Sequence, residues 1–137
     1  MKDRYLFRGN RIQNGEFAYG HLCPPPYPYH DSGKVFIAKK YVCHCGSSDL
    51  SYIYHEIEPD TLAQSTGLKD KNGILIFEFD IVLYNNEFRG WVEWHEDSWL
   101  VRFSSYDLSN FDGLANIRHQ LKIIGNIHDN KLEDFTP

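Results

Sequence analysis

The sequence predicts a mainly β protein, and three observations support this fold class. Aromatic residues make up 15% of the chain, with nine Tyr, nine Phe and three Trp against a single Met; such side chains pack well on a pleated sheet. Short apolar segments alternate with turn residues, as in antiparallel sheets. The length of 137 residues suits a single domain with one core, formed by N-terminal strands and loops (1–60) and a barrel-like part (61–137).

The N-terminal strands include a predicted hairpin and a further strand pair. Asn14-Gly15 separates two apolar segments, and this residue pair tolerates the positive φ of a tight turn. Residues 34–38 and 51–57 are the next predicted strands. In the second of them, alternation places Ile53, His55 and Ile57 on one face, and Tyr52, Tyr54 and Glu56 on the other.

The connecting segments of this half contain prolines. Residues 23–29 hold four prolines, which enforce extended geometry, so we expect a loop. A rigid connector is preferred here over a ligand for a proline-recognising groove. Residues 58–64 begin with Glu58-Pro59-Asp60 and predict a short helical turn.

The barrel-like part shows closely spaced apolar segments on short turns. The predicted strands are residues 74–77, 80–84, 91–94, 99–103 and 121–127. Their order predicts an antiparallel meander, curled into a small SH3-like barrel; this likeness carries no function. We expect a short helix within 104–118, which gives one or two short helices in all, and a bulge or bend at Gly125.

Charge and composition limit the partners. A formal net charge of -5 gives no attraction toward a phosphate backbone, so nucleic acid is disfavoured. No apolar run reaches the length of a membrane span, and the first residues lack the apolar stretch of a signal peptide. We therefore expect a cytoplasmic protein, in which Cys23, Cys43 and Cys45 are reduced thiols or metal ligands.

Four segments resemble a known family. They are Phe7-Arg8-Gly9, residues 14–20, residues 64–73 together with Asp80-Ile81-Val82, and residues 123–127, and the most specific stretch is Thr66-Gly67-Leu68-Lys69-Asp70-Lys71-Asn72-Gly73. They identify the chain as resembling the YopX family over nearly its full length. The resemblance implies a phage or prophage protein in a bacterial host, and it carries over no activity, cofactor or catalytic residue. The chain departs from the family pattern at Phe79, where glycine is expected, and in the Cys43-His44-Cys45 connector.

A zinc site is the sharpest chemical hypothesis. His21 with Cys23, and Cys43-His44-Cys45, offer the thiolates and imidazoles that tetrahedral zinc prefers. Each pair has one intervening residue, whereas structural zinc sites usually have two to four. We therefore expect no cofactor and keep zinc, on His21, Cys23, Cys43, His44 and Cys45, as the alternative.

An enzyme would need a cluster of acids and bases. His55, Asp80, His95, Glu96 and Asp97 are the candidate residues, since histidines and carboxylates transfer protons near neutral pH. A structural role is preferred for these residues: residues 95–97 form a polar hairpin tip, and Asp80 caps a turn. No phosphate loop, nucleophile elbow or dinucleotide motif is present, so we predict a non-enzymatic protein.

The remaining candidates are exposed aromatic residues beside a cation: Arg89, Trp91, Trp94, Trp99 and Tyr106. Trp91 and Trp94 fall on opposite faces of one strand, so we expect at least one of them to lie in the core. The favoured function is binding to a second copy or to a host or phage protein, because small β domains have unpaired strand edges. A nucleic-acid-associated SH3-like module and a small metal-dependent enzyme are the alternatives.

Overall fold

The structure, a computed structural model, describes residues 5–23, 32–42, 50–103 and 111–128. It confirms the predicted fold class, because the chain is mainly β, with antiparallel strands and a short helix. The chain divides into two compact units, one that ends at Gln64 and one that starts at Ser65. Strand β5 runs across this boundary.

The N-terminal unit is an antiparallel sheet with the strand order β4-β3-β2-β1-β5. Its strands are β1 (Phe7–Asn10), β2 (Phe17–Cys23), β3 (Val35–Val42), β4 (Leu50–Ile57) and the first residues of β5 (Ala63–Lys69). The predicted hairpin is confirmed: Asn10 pairs with Phe17, and Gly15 has a φ of 72° in the turn. The predicted strands 34–38 and 51–57 correspond to β3 and β4.

One buried cluster of this unit lies on the face of the sheet that includes Ile37, and Phe36 and Ala38 are buried on the opposite face. Ala18, Ile37 and Ile57 form this cluster, and Phe7, Val35 and Leu62 pack against them. Ile53 and Ile57 lie on the same face of β4, as predicted. This face is buried only at the C-terminal end of the strand, since Ile53 is 42% exposed.

The helical turn predicted for residues 58–64 is shorter than expected. It is a 3₁₀ turn over Pro59–Thr61, and Ala63 already belongs to β5. The reason is the pairing of Ala63 with Arg8 and of Gln64 with Phe7, which extends the sheet by one strand. Sheet pairing here outweighs local helical preference.

The C-terminal unit contains a five-stranded antiparallel sheet with the order β10-β9-β8-β7-β11. The elements after β5 are β6 (Leu75–Phe77), β7 (Asp80–Tyr84), β8 (Phe88–His95), β9 (Ser98–Phe103), β10 (Phe111–Gly113), α1 (Leu114–Ile117) and β11 (Leu121–Asn126). Strands β7 to β10 follow one another as the predicted meander, and β11 returns beside β7. The curled antiparallel meander predicted for this half thus corresponds to this sheet, and the predicted short helix to α1. The SH3-like barrel stays a prediction.

Close packing organises the core of the C-terminal unit. The buried residues are Ile76, Val82, Val92, Val101, Leu114, Ile117 and Leu121. A Cβ at Gly90 would lie 2.8 Å from the carbonyl oxygen of Arg102 and 2.9 Å from Val101 Cγ1, so β8 approaches β9 closely at this point. The bulge predicted at Gly125 is confirmed by a register shift between Ile123 and Gly125.

Phe79 occupies a backbone conformation that glycine adopts more readily. Its φ is +70°, its N–H donates to Val92 O at 2.8 Å, and its carbonyl accepts from Ile127 N at 3.0 Å. The expected close backbone approach is therefore retained despite the side chain. The ring packs edge-on against His128, with centroids 5.0 Å apart.

Candidate functional site

The outer edge of β4 is the strongest candidate for a binding surface. On its inner side, β4 pairs with β3 along its whole length, from Val35 and Ile57 to Val42 and Leu50. On its outer side, only the end of the strand is covered: Ile12 N donates to Glu56 O at 3.1 Å, and Glu58 N donates to Asn10 O at 2.9 Å. Within the described ranges, no residue pairs with the outer edge between residues 50 and 55.

The direction of the peptide groups follows from these two bonds. Successive residues of an antiparallel strand direct their N–H and C=O groups to alternate sides. Since Glu56 O and Glu58 N point outward, the backbone groups of Tyr52 and Tyr54 point outward as well. The edge therefore presents the donors and acceptors of a strand that can pair with another.

The side chains at this edge are apolar or aromatic on both faces. Tyr52, Ile53 and Tyr54 are 47%, 42% and 46% exposed. The two tyrosine rings lie on the same face with centroids 6.4 Å apart, and Ile53 lies on the opposite face. Lysine, proline or a bulge commonly protects an edge strand from pairing with another chain, and none of these occurs between Tyr52 and Tyr54.

Residues 50–54 include no Asp, Glu, Lys, Arg or His, and the charged cross-strand neighbour of Ile53 is Lys39 of β3, which pairs with it. Burial is the main cause that lowers the pKa of His55, and the positive charges of Arg11 and Lys39 lower it further. The neutral imidazole is therefore favoured above pH 6.5. The first carboxylate along the strand, Glu56, forms an ion pair with Lys34 at 3.5 Å.

The outer edge of β11 provides a contrast, because the chain itself covers it. Leu121 O accepts from Lys71 N at 3.0 Å, and Ile123 N donates to Asp70 Oδ2 at 3.1 Å. The turn that follows β5 thus satisfies two backbone groups of β11, Leu121 O and Ile123 N. No described residue does the same for β4 between residues 50 and 55.

Residues 66–73, the stretch most specific to the family resemblance, stabilise this turn; we call them the signature segment. Asp70 is 4% exposed, and its Oδ1 accepts from Asn72 N at 2.8 Å and from Ile74 N at 2.9 Å. The Thr66 hydroxyl donates to Ile76 O at 2.7 Å. Gly67 and Gly73 supply φ values of 76° and 78°. The most recognisable residues of the chain therefore support its backbone.

The predicted zinc ligands fall partly outside the described residues. His21 and Cys23 lie on one face of β2, where His21 is exposed and Cys23 half-buried. Cys23 Sγ lies 3.6 Å from Phe36 O, and burial raises the pKa of its thiol. Cys43, His44 and Cys45 lie outside the described residues, and the described residues themselves include no group of three or more potential metal ligands. Zinc binding stays a prediction.

The predicted acid–base residues have separate surroundings. His55 belongs to the N-terminal unit and the other four to the C-terminal unit. Asp80 is 2% exposed and accepts Phe77 N at 2.8 Å, so it caps a turn as expected. His95, Glu96 and Asp97 are exposed at the tip of the β8–β9 hairpin.

The tryptophans correct one prediction. Neither Trp91 nor Trp94 is buried: Val92 takes the core position of β8, and Trp94 lies beyond it at 50% exposure. Trp94 packs edge-on against its cross-strand partner Trp99, with ring centroids 5.0 Å apart. The indole N–H of Trp91 donates to Glu93, which also binds Arg102.

The last two predicted binding residues are Arg89 and Tyr106. Arg89 is exposed on β8, and Tyr106 lies outside the described residues. The sequence interpretation assigned Tyr52, Ile53 and Tyr54 to a strand without identifying them as a site. Three consecutive large apolar residues, which make both faces of a strand apolar, were the available signal.

Comparison with known proteins adds a family to these observations. No described helix has the length and apolar character needed to span a membrane. No curated protein matches the chain. The family model described as YopX protein matches residues 7–133, nearly the whole chain, and this match confirms the resemblance predicted from the signature segment. The chain belongs to the YopX family.

Proposed function

We propose that this YopX-family protein acts by binding another polypeptide, without catalysis, and that the outer edge of β4 is its binding surface. The observation that carries the proposal is the combination of outward backbone groups with the exposed side chains of Tyr52, Ile53 and Tyr54. The setting is the cytoplasm of a bacterial cell that carries the phage or prophage, and the partner is a second copy or a host or phage protein.

The expected mode is addition of a strand to an existing sheet. Backbone hydrogen bonds supply affinity in such complexes, and alternate side chains supply specificity. Complete burial of a large apolar side chain contributes about 1.5–3 kcal/mol. Because roughly half of each of the three side chains is already covered, the further gain is about 1 kcal/mol for each of them.

Two features support binding to a polypeptide over the alternatives. The net charge of -5 opposes association with a phosphate backbone. The outward peptide groups of β4 match the hydrogen-bonding pattern of an extended chain. We therefore rank polypeptide binding above both a nucleic-acid module and a metal-dependent enzyme.

A strand peptide tests this proposal on the full chain. A fluorescently labelled peptide with the sequence of residues 50–57 is titrated with the protein, and binding is followed by anisotropy. We expect saturable binding that Ile53→Lys weakens tenfold or more, about 1.4 kcal/mol, because a lysine on an edge strand opposes strand addition. Tyr54→Lys is the second variant.

The matched control is Ile74→Lys. Ile74 is 54% exposed and lies in the C-terminal unit, away from this edge in the chain, so the control adds the same charge elsewhere. Retained binding by the control, together with loss in both edge variants, supports the proposal. Absence of peptide binding to the unmodified protein, or equal binding by all three variants, contradicts it.

A further inference from the structure

We infer that the strand added at this edge is β4 of a second copy, paired antiparallel about a two-fold axis at Ile53. This inference rests on the binding role proposed for the same edge, and it specifies the partner and the register. A two-fold axis makes one surface pair with itself, which is the commonest arrangement of homodimers.

The backbone fits this register. Antiparallel pairing about Ile53 places Tyr52 of one copy opposite Tyr54 of the other, and the reverse. Both residues direct their peptide groups outward, so each of these pairs exchanges two hydrogen bonds. Ile53 then faces Ile53 of the second copy in the closely spaced pair that makes no hydrogen bonds across the axis.

The side chains fit the same register. On one face, the tyrosines of the two copies form cross-strand aromatic pairs, an arrangement that stabilises antiparallel sheets. On the other face, the two Ile53 side chains meet at the axis. All three residues are more than 40% exposed within one copy, so each can lose further apolar surface on pairing.

Charge favours this edge as the place of contact between two copies. Each copy carries a formal net charge of -5, so two copies repel each other overall, whereas the exposed Lys39 of β3 places a positive charge beside Ile53 at this edge. The residues from Leu50 to Tyr54 carry no charge, and Glu56 is already paired with Lys34. Self-pairing at Ile53 therefore brings no two carboxylates face to face.

The covered end of β4 limits the length of the interface. Residues 10–12 already hydrogen-bond to Glu56 and Glu58, so only the part of the strand before them is open to a second copy. So short an interface is smaller than that of a stable complex, which buries about 1,200 Å² or more. We expect a concentration-dependent dimer, which a covalent trap detects better than mass measurement alone.

The test is disulfide trapping at the axis. Ile53→Cys is prepared in a chain whose three cysteines are replaced by serine, and far-UV circular dichroism confirms folding. Oxidised glutathione takes up the two electrons released when two thiols form one disulfide. Facing Cα atoms in such a pair are about 4.5 Å apart, within the range that a disulfide spans.

The register predicts which variants form a covalent dimer. Ile53→Cys alone is expected to dimerise, and an equimolar mixture of Tyr52→Cys and Tyr54→Cys is expected to form mixed dimers. Tyr52→Cys alone should dimerise several-fold less, because equivalent residues off the axis lie more than about 7 Å apart. Ile74→Cys, at a similarly exposed position, measures random collision.

Two results overturn the inference. If Ile53→Cys dimerises no more than Ile74→Cys, no second copy pairs at this edge. If Tyr52→Cys alone dimerises more than Ile53→Cys, the axis lies elsewhere. If replacement of Cys23 disturbs folding, the same comparison is made with the native cysteines present, and the linked positions are identified by peptide mass mapping. If the labelled peptide binds but no covalent dimer forms, only the pairing with a second copy is rejected. If the peptide does not bind and no covalent dimer forms, the proposed function is rejected as well.

Discussion

Removal of the Asp70 carboxylate should destabilise the C-terminal unit strongly. Asp70 is 4% exposed and accepts three backbone N–H groups, from Asn72, Ile74 and Ile123, at 2.8, 2.9 and 3.1 Å. These bonds join the turn after β5 to the edge of β11. A hydrogen bond to a charged group contributes about 1.5–3 kcal/mol, so this single side chain accounts for a large part of a typical stability of about 5–15 kcal/mol.

Two substitutions separate the individual bonds of Asp70. Asp70→Asn keeps an oxygen for Asn72 and Ile74 but turns an amide donor toward the N–H of Ile123. We expect a loss of about 2 kcal/mol for this variant, and of about 4.5 kcal/mol or more for Asp70→Ala, which removes all three hydrogen bonds. The measurement is urea unfolding followed by tryptophan fluorescence, because all three tryptophans lie in this unit.

Asp97→Asn serves as the control for the Asp70 variants. Asp97 is exposed at the hairpin tip, and a change there should alter the unfolding free energy by less than about 0.5 kcal/mol. The reasoning is refuted if Asp70→Asn is as stable as the unmodified protein. It is also refuted if Asp70→Ala is no less stable than Asp70→Asn, since the Oδ1 bonds would then contribute nothing.

Two further predictions concern backbone strain and pH. At position 79, where φ is +70°, Phe79→Gly should be more stable than Phe79→Ala by about 1 kcal/mol. Both variants remove the ring, but only alanine is strained in the left-handed backbone conformation. Equal thermal stability of the two variants would contradict this. The folded-state pKa of His55 is lowered from 6.5, so the unfolded chain binds this proton first on acidification. The unfolding free energy should therefore fall as pH drops through 6.5, and the fall should level off below the folded pKa. In urea unfolding at matched pH values, the unfolding free energy of His55→Gln should fall less than that of the unmodified protein. An identical fall would show that His55 does not cause the pH dependence.

The sequence predicted most strands because local patterns determine them. Asn14-Gly15 marks a hairpin whose turn requires positive φ, and Gly125 marks the bulge in β11. The strand over 51–57 and its two faces were predicted from alternation alone. These features depend on residues close to one another in the chain, and so a single sequence contains them.

The candidate site depends on pairing between distant residues and was not predicted. Whether β4 is an edge strand depends on which strands lie beside it, and its covered end is formed by residues 10–12. The tryptophan prediction failed for a similar reason: alternation gives the face of Trp94 but not the point at which the core ends along β8. Burial at Val92 and exposure at Trp94 differ although both residues share a face.

The residues that stabilise the fold differ from those proposed for binding. Asp70 and Thr66 belong to the segment that identifies the family. Their side chains form hydrogen bonds with backbone groups of the same unit. Tyr52, Ile53 and Tyr54 lie outside that segment and leave much of their surface exposed. Because exposed side chains contribute little to the unfolding free energy, Ile53→Lys should weaken strand addition tenfold or more at little cost in stability. The proposed binding specificity therefore depends on residues of β4, outside the segment that identifies the family.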